Sequence, residues 1–271
     1  MTPPSAEALR LERITCAFLG RNGSHYEAVR ETSLVVGEHE FVSVVGPTGC
    51  GKTTLLNAAA GLLVPAAGRV LVRGEPLEGV NREAGYLFQA DALMPWKTAL
   101  DNVAVGLELR GIAPTNARSR AREWLARVGL HGFADRYPHE LSGGMRKRVA
   151  LAQTLILDPK VLLMDEPFSA LDVQTRSLME NELLALWQLD RKSGLLVTHD
   201  LEEAIALSDR VIVLSAGPAS SPVAEFDIRL PRPRDVAEAR LAPEFLEIRR
   251  RIWECLRAEV LRAYAAFAKV A

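Results

Sequence analysis

An apolar run, FVSVVG at 41–46, leads directly into GPTGCGKTT at 46–54, and TTLLNAAAGLL behind it has helical spacing. The segment fits G-x-x-x-x-G-K-[ST] through Gly46, Gly51, Lys52 and Thr53, between a strand and a helix, where its mechanism requires it. Glycines let the backbone curl so that N–H groups converge on phosphate oxygens, and the helix N-terminus adds partial positive charge. Lys52 is placed to reach β- and γ-phosphates, and the Thr53 hydroxyl to ligate Mg²⁺. Gly46, Pro47, Thr48, Gly49, Cys50, Gly51, Lys52, Thr53 and Thr54 therefore form the expected phosphate cradle. Cys50 has two readings, a thiol activated by neighbouring backbone donors or a small space-filling residue; the second is adopted.

The rest of the chain alternates in the same way. GRVLVRG (68–74), KVLLMDEP (160–167), GLLVTHD (194–200) and RVIVLS (210–215) read as strands, and VQTRSLMENELLALWQLDRK as a crossover helix. From about 90 to 157 only helical spacing appears, in RSRAREWLARVGL and GMRKRVALAQTLIL. The pattern predicts an α/β fold with a largely parallel sheet and an inserted all-helical block. After Ser215, GPASSP reads as a turn-rich link and RLPRPRD (229–235) as an extended, solvated connector, phosphate binding by its arginines being the alternative. A helix over roughly 244–268 follows, with Phe245, Ile248, Ile252, Leu256, Val260, Tyr264 and Phe267 on one face. That face is expected to dock on the domain itself, with partner binding or self-pairing as the alternative.

Composition narrows the classes. Lysine plus arginine (33) against aspartate plus glutamate (34) leaves a net charge of −1, which argues against broad nucleic-acid binding. Three scattered cysteines, Cys16, Cys50 and Cys255, fit a reducing compartment better than a disulfide framework. No apolar run approaches the ~20 residues that cross a bilayer, and MTPPSAEALRLER lacks a signal-peptide pattern. A soluble protein is expected, with any membrane role exercised through a partner.

Strand ends supply the remaining chemistry. VLLMDEP ends in Asp165, a carboxylate placed to hold Mg²⁺, followed by Glu166, the candidate general base for a water in line with the γ-phosphate. Gln89 ends GYLFQ, placed to bridge Mg²⁺ and that water. His199 ends LLVTH; alone it reads as a structural histidine, but in this layer it is placed to hydrogen-bond the γ-phosphate. The other four histidines show no metal-ligand spacing.

A second glycine turn lies in HELSGGMRKR (139–148). Ser142 is placed to cap a helix starting near Gly144, and Gly143 and Gly144 bare its N-terminal N–H groups, an anion site the size of a γ-phosphate. The turn has no lysine or metal carboxylate of its own. It is therefore expected to complete the phosphate site of a second copy in a two-fold pair.

Together GPTGCGKTT, Gln89 in YLFQ, LSGGM, VLLMDEP, SALD (169–172) and His199 in VTHD resemble the ATPase subunit of an ABC transporter, over roughly residues 9–250. The resemblance implies an ABC ATPase domain at 9–228, with a P-loop NTPase core, an antiparallel β subdomain and a helical subdomain inserted at about 90–157. A connector and amphipathic helix would occupy 229–271. It also implies ATP and Mg²⁺ as ligands and a head-to-tail homodimer closing on two ATP molecules, with Asp172 linking the two sites. A membrane permease would dock in the groove near Gln89, placing the chain on the cytoplasmic face of the inner membrane. LMPWKTALDNVAVGL, THDLEEAIALSDRV and LPRPRD resemble the ATPases of bacterial importers for nitrate, taurine, aliphatic sulfonates and related solutes. There a solute-binding protein and the permease, not this subunit, choose the solute. A soluble ATPase remodelling a ribosome or DNA is the rival; one ATPase half and no net positive charge argue against it. An exporter subunit is disfavoured because exporters more often fuse this domain to membrane helices.

Several positions depart from the family pattern. Phe18, or alternatively Tyr26, stands where a tyrosine commonly stacks on adenine. His39 replaces a turn glycine, so that turn is expected to be distorted. Lys147 replaces a glutamine, and Gln153-Thr154 an Arg-Ala pair, with altered ion pairing expected in the helical block.

Overall fold

The apolar runs become strands, and their order places one edge of a sheet under the glycine loop. The computed structural model describes residues 7–19, 23, 25–190 and 192–267; the side chains of 190, 266 and 267 fall outside that description. In chain order the elements are β1 (Glu7–Leu19), β2 (His25–Gly37), β3 (Phe41–Val45), α1 (Lys52–Ala59), β4 (Ala67–Val72), β5 (Glu75–Pro76) and β6 (Ala84–Leu87). The helical block holds α2 (Ala99–Leu109), α3 (Pro114–Arg127) and α4 (Gly143–Leu155). Then come β7 (Val161–Asp165), α5 (Val173–Asp190), β8 (Ser193–Thr198), α6 (Leu201–Leu207), β9 (Arg210–Leu214), β10 (Pro222–Asp227), α7 (Val236–Leu241) and α8 (Pro243–Phe267).

The main sheet runs β10-β9-β3-β8-β7-β6, parallel except for β10, which pairs antiparallel with β9. Its inner strands β3, β7 and β8 are buried along their whole length, which is why they read as unbroken apolar runs. A second, antiparallel sheet, β2-β1-β4-β5, supplies the expected β subdomain. Leu55 and Leu56 of α1 share one core with Leu9, Leu11 and Ile14 of β1 and Val44, Leu163 and Val197 of the main sheet, so α1 is wedged between the sheets. The helical block has its own core around Val103, Leu107, Leu125 and Val149. No helix among the described residues is long and apolar enough to cross a membrane.

Four details differ from the expectations. Helix α1 stops at Ala59 rather than running to Leu63, because Gly61 turns at φ +69° and lies so close to Gly79 that a Cβ would meet its carbonyl oxygen. Beyond Ser215 the chain forms β10, an edge strand whose exposed Pro222 and Asp227 hide its character in the sequence. The C-terminal helix is the single helix expected, but a short extra one, α7, precedes it; the two are separated at Ala242 ahead of Pro243, whose ring suits a first helical position.

The fourth is the connector, which is solvated only on one side: Arg229, Pro231, Pro233 and Asp235 are exposed, while Arg232 and Arg234 turn inward. Arg234 is buried and donates to the carbonyls of Ala206 (3.1 Å) and Ser208 (2.7 Å), orphans at the end of α6, and to that of Leu230 (3.0 Å) in the connector itself. Arg232 bonds Asp209 (2.9 Å) and lies over the Trp187 ring (4.4 Å). Buried arginines at these positions need carbonyl partners that only the folded chain assembles. Phe245, Ile252 and Leu256 of α8 then pack into the core of α5 and α6, so the helix docks on its own domain. Tyr264 departs from that face and is 71% exposed; residue 268 and the Phe267 side chain lie outside the described residues.

Candidate active site

Because β6, β3, β7 and β8 are parallel neighbours, their C-terminal ends deliver Gln89, the glycine loop, Asp165–Glu166 and His199 to one edge. The loop leaves β3 and enters α1 through Gly49 (φ +78°) and Gly51 (φ +95°), backbone states that favour glycine. Gly51 also packs against Ala28 and Val29 of β2, where a Cβ would sit 3.0 Å from the Ala28 oxygen. Lys52 is buried, and its Nζ donates to the carbonyls of Gly46 (2.9 Å) and Pro47 (3.2 Å). The loop thus holds its ammonium at the centre of the cradle.

Thr53 Oγ1 donates to Asp165 Oδ1 at 3.0 Å, joining the first turn of α1 to the end of β7. Burial raises the Asp165 carboxyl above its usual range, partly offset by the Thr53 hydrogen bond. Hydroxyl, carboxylate and the nearby Gln89 amide form an all-oxygen donor set, the kind Mg²⁺ takes. Tyr86 of β6 was not anticipated: its hydroxyl donates to Asn57 (3.0 Å) and faces Asp165, and burial pushes its phenol well above the usual value. Its place in GYLFQ, on the strand that ends in Gln89, was the available signal.

Glu166 adopts φ +42°, an uncommon state for a non-glycine residue, held by its N–H donating to the Val197 carbonyl (2.9 Å). Its Oε2 lies 2.9 Å from His199 Nδ1 and 3.4 Å from Gln89 Nε2, and Gln89 also approaches Ser169 Oγ (3.5 Å). The next residue, Asp200, caps α6 by accepting from the N–H groups of Glu202 (2.8 Å) and Glu203 (3.2 Å), and pairs with Arg176 (2.9 Å).

Cys50 is fully buried, with its thiol pKa raised by burial, and a Cβ on Gly46 would come within 2.8 Å of its sulfur. It fills space, as expected. Phe18 and Tyr26, the two aromatic candidates, are direct cross-strand partners on β1 and β2, 41% and 45% exposed. His39 takes up φ +63°, the glycine-like state itself, and its N–H donates to Ser193 Oγ (3.0 Å); the turn is kept, with its strain in one residue. A cavity of about 330 Å³ beside Gly46, Pro47, Thr48 and His199 is also lined by Trp253 and Tyr264 of α8, residues that no sequence motif links to the site.

The second glycine turn lies elsewhere. Ser142 caps α4, accepting from the Met145 N–H (3.3 Å), and the helix begins at Gly143. Helix α4 packs on α2, α3, α5 and β6, and among the described residues the turn makes no hydrogen bond to the glycine loop of its own chain. Asp172 caps α5, accepting from the N–H groups of Gln174 (3.1 Å) and Thr175 (3.0 Å); the Thr175 hydroxyl first, and then these N–H groups, hold its carboxyl below the usual range. Lys147 is buried and donates to the Gln89 carbonyl, while Thr154 bonds back to Ala150 (2.9 Å).

The sequence pattern of the ABC transporter family matches residues 29–169. An uncharacterised ABC transporter ATP-binding protein of Methanocaldococcus jannaschii is 47% identical over 256 residues, 94% of this chain and 93% of that protein. A taurine import ATP-binding protein of Rhizobium johnstonii is 40% identical over 248 residues, 90% of this chain and 94% of that protein. Among solved structures, a dimeric ATP-binding cassette in a post-hydrolysis state with ADP and Pi superposes with a TM-score of 0.72 at 31% identity. That match covers 82% of this chain and all of the cassette.

Proposed function

This chain belongs to the ABC transporter family, and we propose that within it the protein is the ATP-hydrolysing subunit of an importer for a small solute such as nitrate, a sulfonate or taurine. The observation that carries the reading is the convergence of Gln89, Glu166 and His199 above the Thr53–Asp165 pair, with the LSGGM turn outside its own chain's cradle. Residues 9–228 form the ATPase domain in this reading, with the helical subdomain inserted at about 90–157. The connector and helices at 229–271 are appended to it.

Lys52 binds the β- and γ-phosphates, exchanging loop carbonyls for phosphate oxygens, and the backbone N–H groups of 46–54 hold the rest of the chain of phosphates. Phe18, with Tyr26 beside it, offers a stacking face for adenine. Thr53, Asp165 and Gln89 hold Mg²⁺, which when bound neutralises charge on the phosphate oxygens. Glu166 takes a proton from the attacking water, and His199 orients Glu166 and donates to the γ-phosphate.

Ser142, Gly143 and Gly144 of one copy complete the cradle of the other, so that two copies close on two nucleotides, with Asp172 at the junction. The dimeric, ADP-bound cassette of the same fold supports this pairing. The taurine-import relative supports the importer class, and with it a permease docked near Gln89, a solute-binding protein outside, and a peripheral place on the inner membrane's cytoplasmic face. The test is to tag the chain, solubilise native membranes in mild detergent and identify what co-purifies. A polytopic permease is the expected result; ribosomal or DNA-associated partners alone would overturn the transport reading.

A further inference from the structure

We infer that Lys147 is a positioning residue that fastens the LSGGM helix to the backbone of Gln89, so that the turn serving one nucleotide and the glutamine serving the other move as one body. The inference rests on the paired-site reading above. Lys147 lies one turn into α4, on the same face as Gly143, and helix geometry fixes its position relative to the turn. Its side chain is 6% exposed and its Nζ has three acceptors: the Gln89 carbonyl (2.6 Å), the Phe88 carbonyl (3.3 Å) and Asp91 Oδ1 (3.1 Å). An ammonium has three donors, so this one is fully satisfied, and two of its partners are the main chain at the functional glutamine.

The grip is reinforced. Arg146 donates to the other Asp91 oxygen (2.9 Å) and to the Leu141 carbonyl (2.8 Å) at the start of the turn. Asp91 is thereby held between two consecutive cations of α4. From Gln89 the path continues to Glu166 at 3.4 Å. A displacement of the LSGGM turn when a second copy engages it is carried by the rigid helix to the Gln89 backbone, and from there to the group that faces the attacking water. Misplacing a reacting group by about 1 Å costs on the order of 10²-fold in rate, so a fastening of this kind bears on turnover more than on nucleotide affinity. Methionine matches the length of the lysine stem without its charge, whereas arginine keeps the charge and the donors.

The experiment uses the full chain with Lys147→Met, Lys147→Arg, Gln89→Ala and the Lys147→Met/Gln89→Ala pair, each with ATP turnover and a thermal melt. Lys147→Met is expected to lower kcat about tenfold with KM for ATP within about twofold, and Lys147→Arg to restore at least half of the lost rate. In the double variant the Lys147 change is expected to add nothing to Gln89→Ala, since both act through one glutamine. An unchanged kcat in Lys147→Met, or full additivity with Gln89→Ala, overturns the inference. The reading it rests on fails separately: if mixing the Lys52→Ala and Gly144→Asp variants recovers no turnover at any ratio, the shared-site assignment falls whatever Lys147 does.

Discussion

Glu166 Oε2 stands 2.9 Å from His199 Nδ1, a contact made between the ends of adjacent parallel strands β7 and β8. The Glu166 backbone is held in its unusual φ by an N–H donated to Val197, two residues before His199. One strand pairing therefore sets both the carboxylate and the imidazole. Glu166→Gln keeps the shape and removes the basicity. Turnover is expected to fall by about 10²–10⁴ while ATP-driven dimerisation, followed by size-exclusion chromatography, persists. Unreduced turnover would refute the base assignment.

If each cradle is completed by the other copy, two dead variants should rescue each other. Lys52→Ala loses the phosphate ammonium, and Gly144→Asp sets a carboxylate at the end of α4, where a phosphate must lie. Each is expected to be inactive alone. A mixed pair has one site built from an intact cradle and an intact LSGGM turn, so mixing should recover turnover, to about a quarter of the wild-type rate for random pairing. Recovery absent at every ratio argues against shared sites.

Behind His199, α6 presents Glu203, which is buried, accepts a hydrogen bond from Thr198, and has its pKa pushed up to about 8 by burial. Glu180 of α5, ion-paired to Arg240, is raised to about 7 for the same first cause. Asp200 nearby raises both and Arg176 lowers both. The unfolded chain releases these protons near pH 4.5, so between 4.5 and about 8 the folded state binds more protons than the unfolded one. Stability from this pair is present below pH 4.5 and lost as pH rises through 7 and 8. Glu203→Gln should lose less melting temperature than wild type between pH 6 and pH 9. Parallel pH profiles would contradict the burial argument.

Arg234 has its pKa lowered to about 10 by burial and remains charged at neutral pH. Arg234→Met leaves the carbonyls of Ala206, Ser208 and Leu230 without their donor. Urea unfolding is expected to show a loss of about 3 kcal/mol. A change under about 0.5 kcal/mol would mean that solvent reaches those carbonyls.

The cradle and strand-end residues were legible because their chemistry is local or periodic. GPTGCGKTT carries its own backbone conformation, and a buried parallel strand must be an apolar run, so VLLMD and GLLVT announce where Glu166 and His199 will stand. Ser142 as a cap was visible for the same reason, since capping spans three residues. What the sequence alone could not decide was which polar groups are buried and against what. Arg234 read as solvated because its segment is charged and proline-rich, and Lys147 read only as a replacement for a glutamine. Each is buried only because carbonyls from distant segments converge on it, Phe88 and Gln89 in one case and Ala206, Ser208 and Leu230 in the other. Trp253 and Tyr264 came to the glycine loop by the docking of α8, a matter of which core accepted Phe245 and Ile252. Local conformation follows from neighbours in the chain; burial of a charge follows from neighbours in space, and those only the tertiary fold supplies.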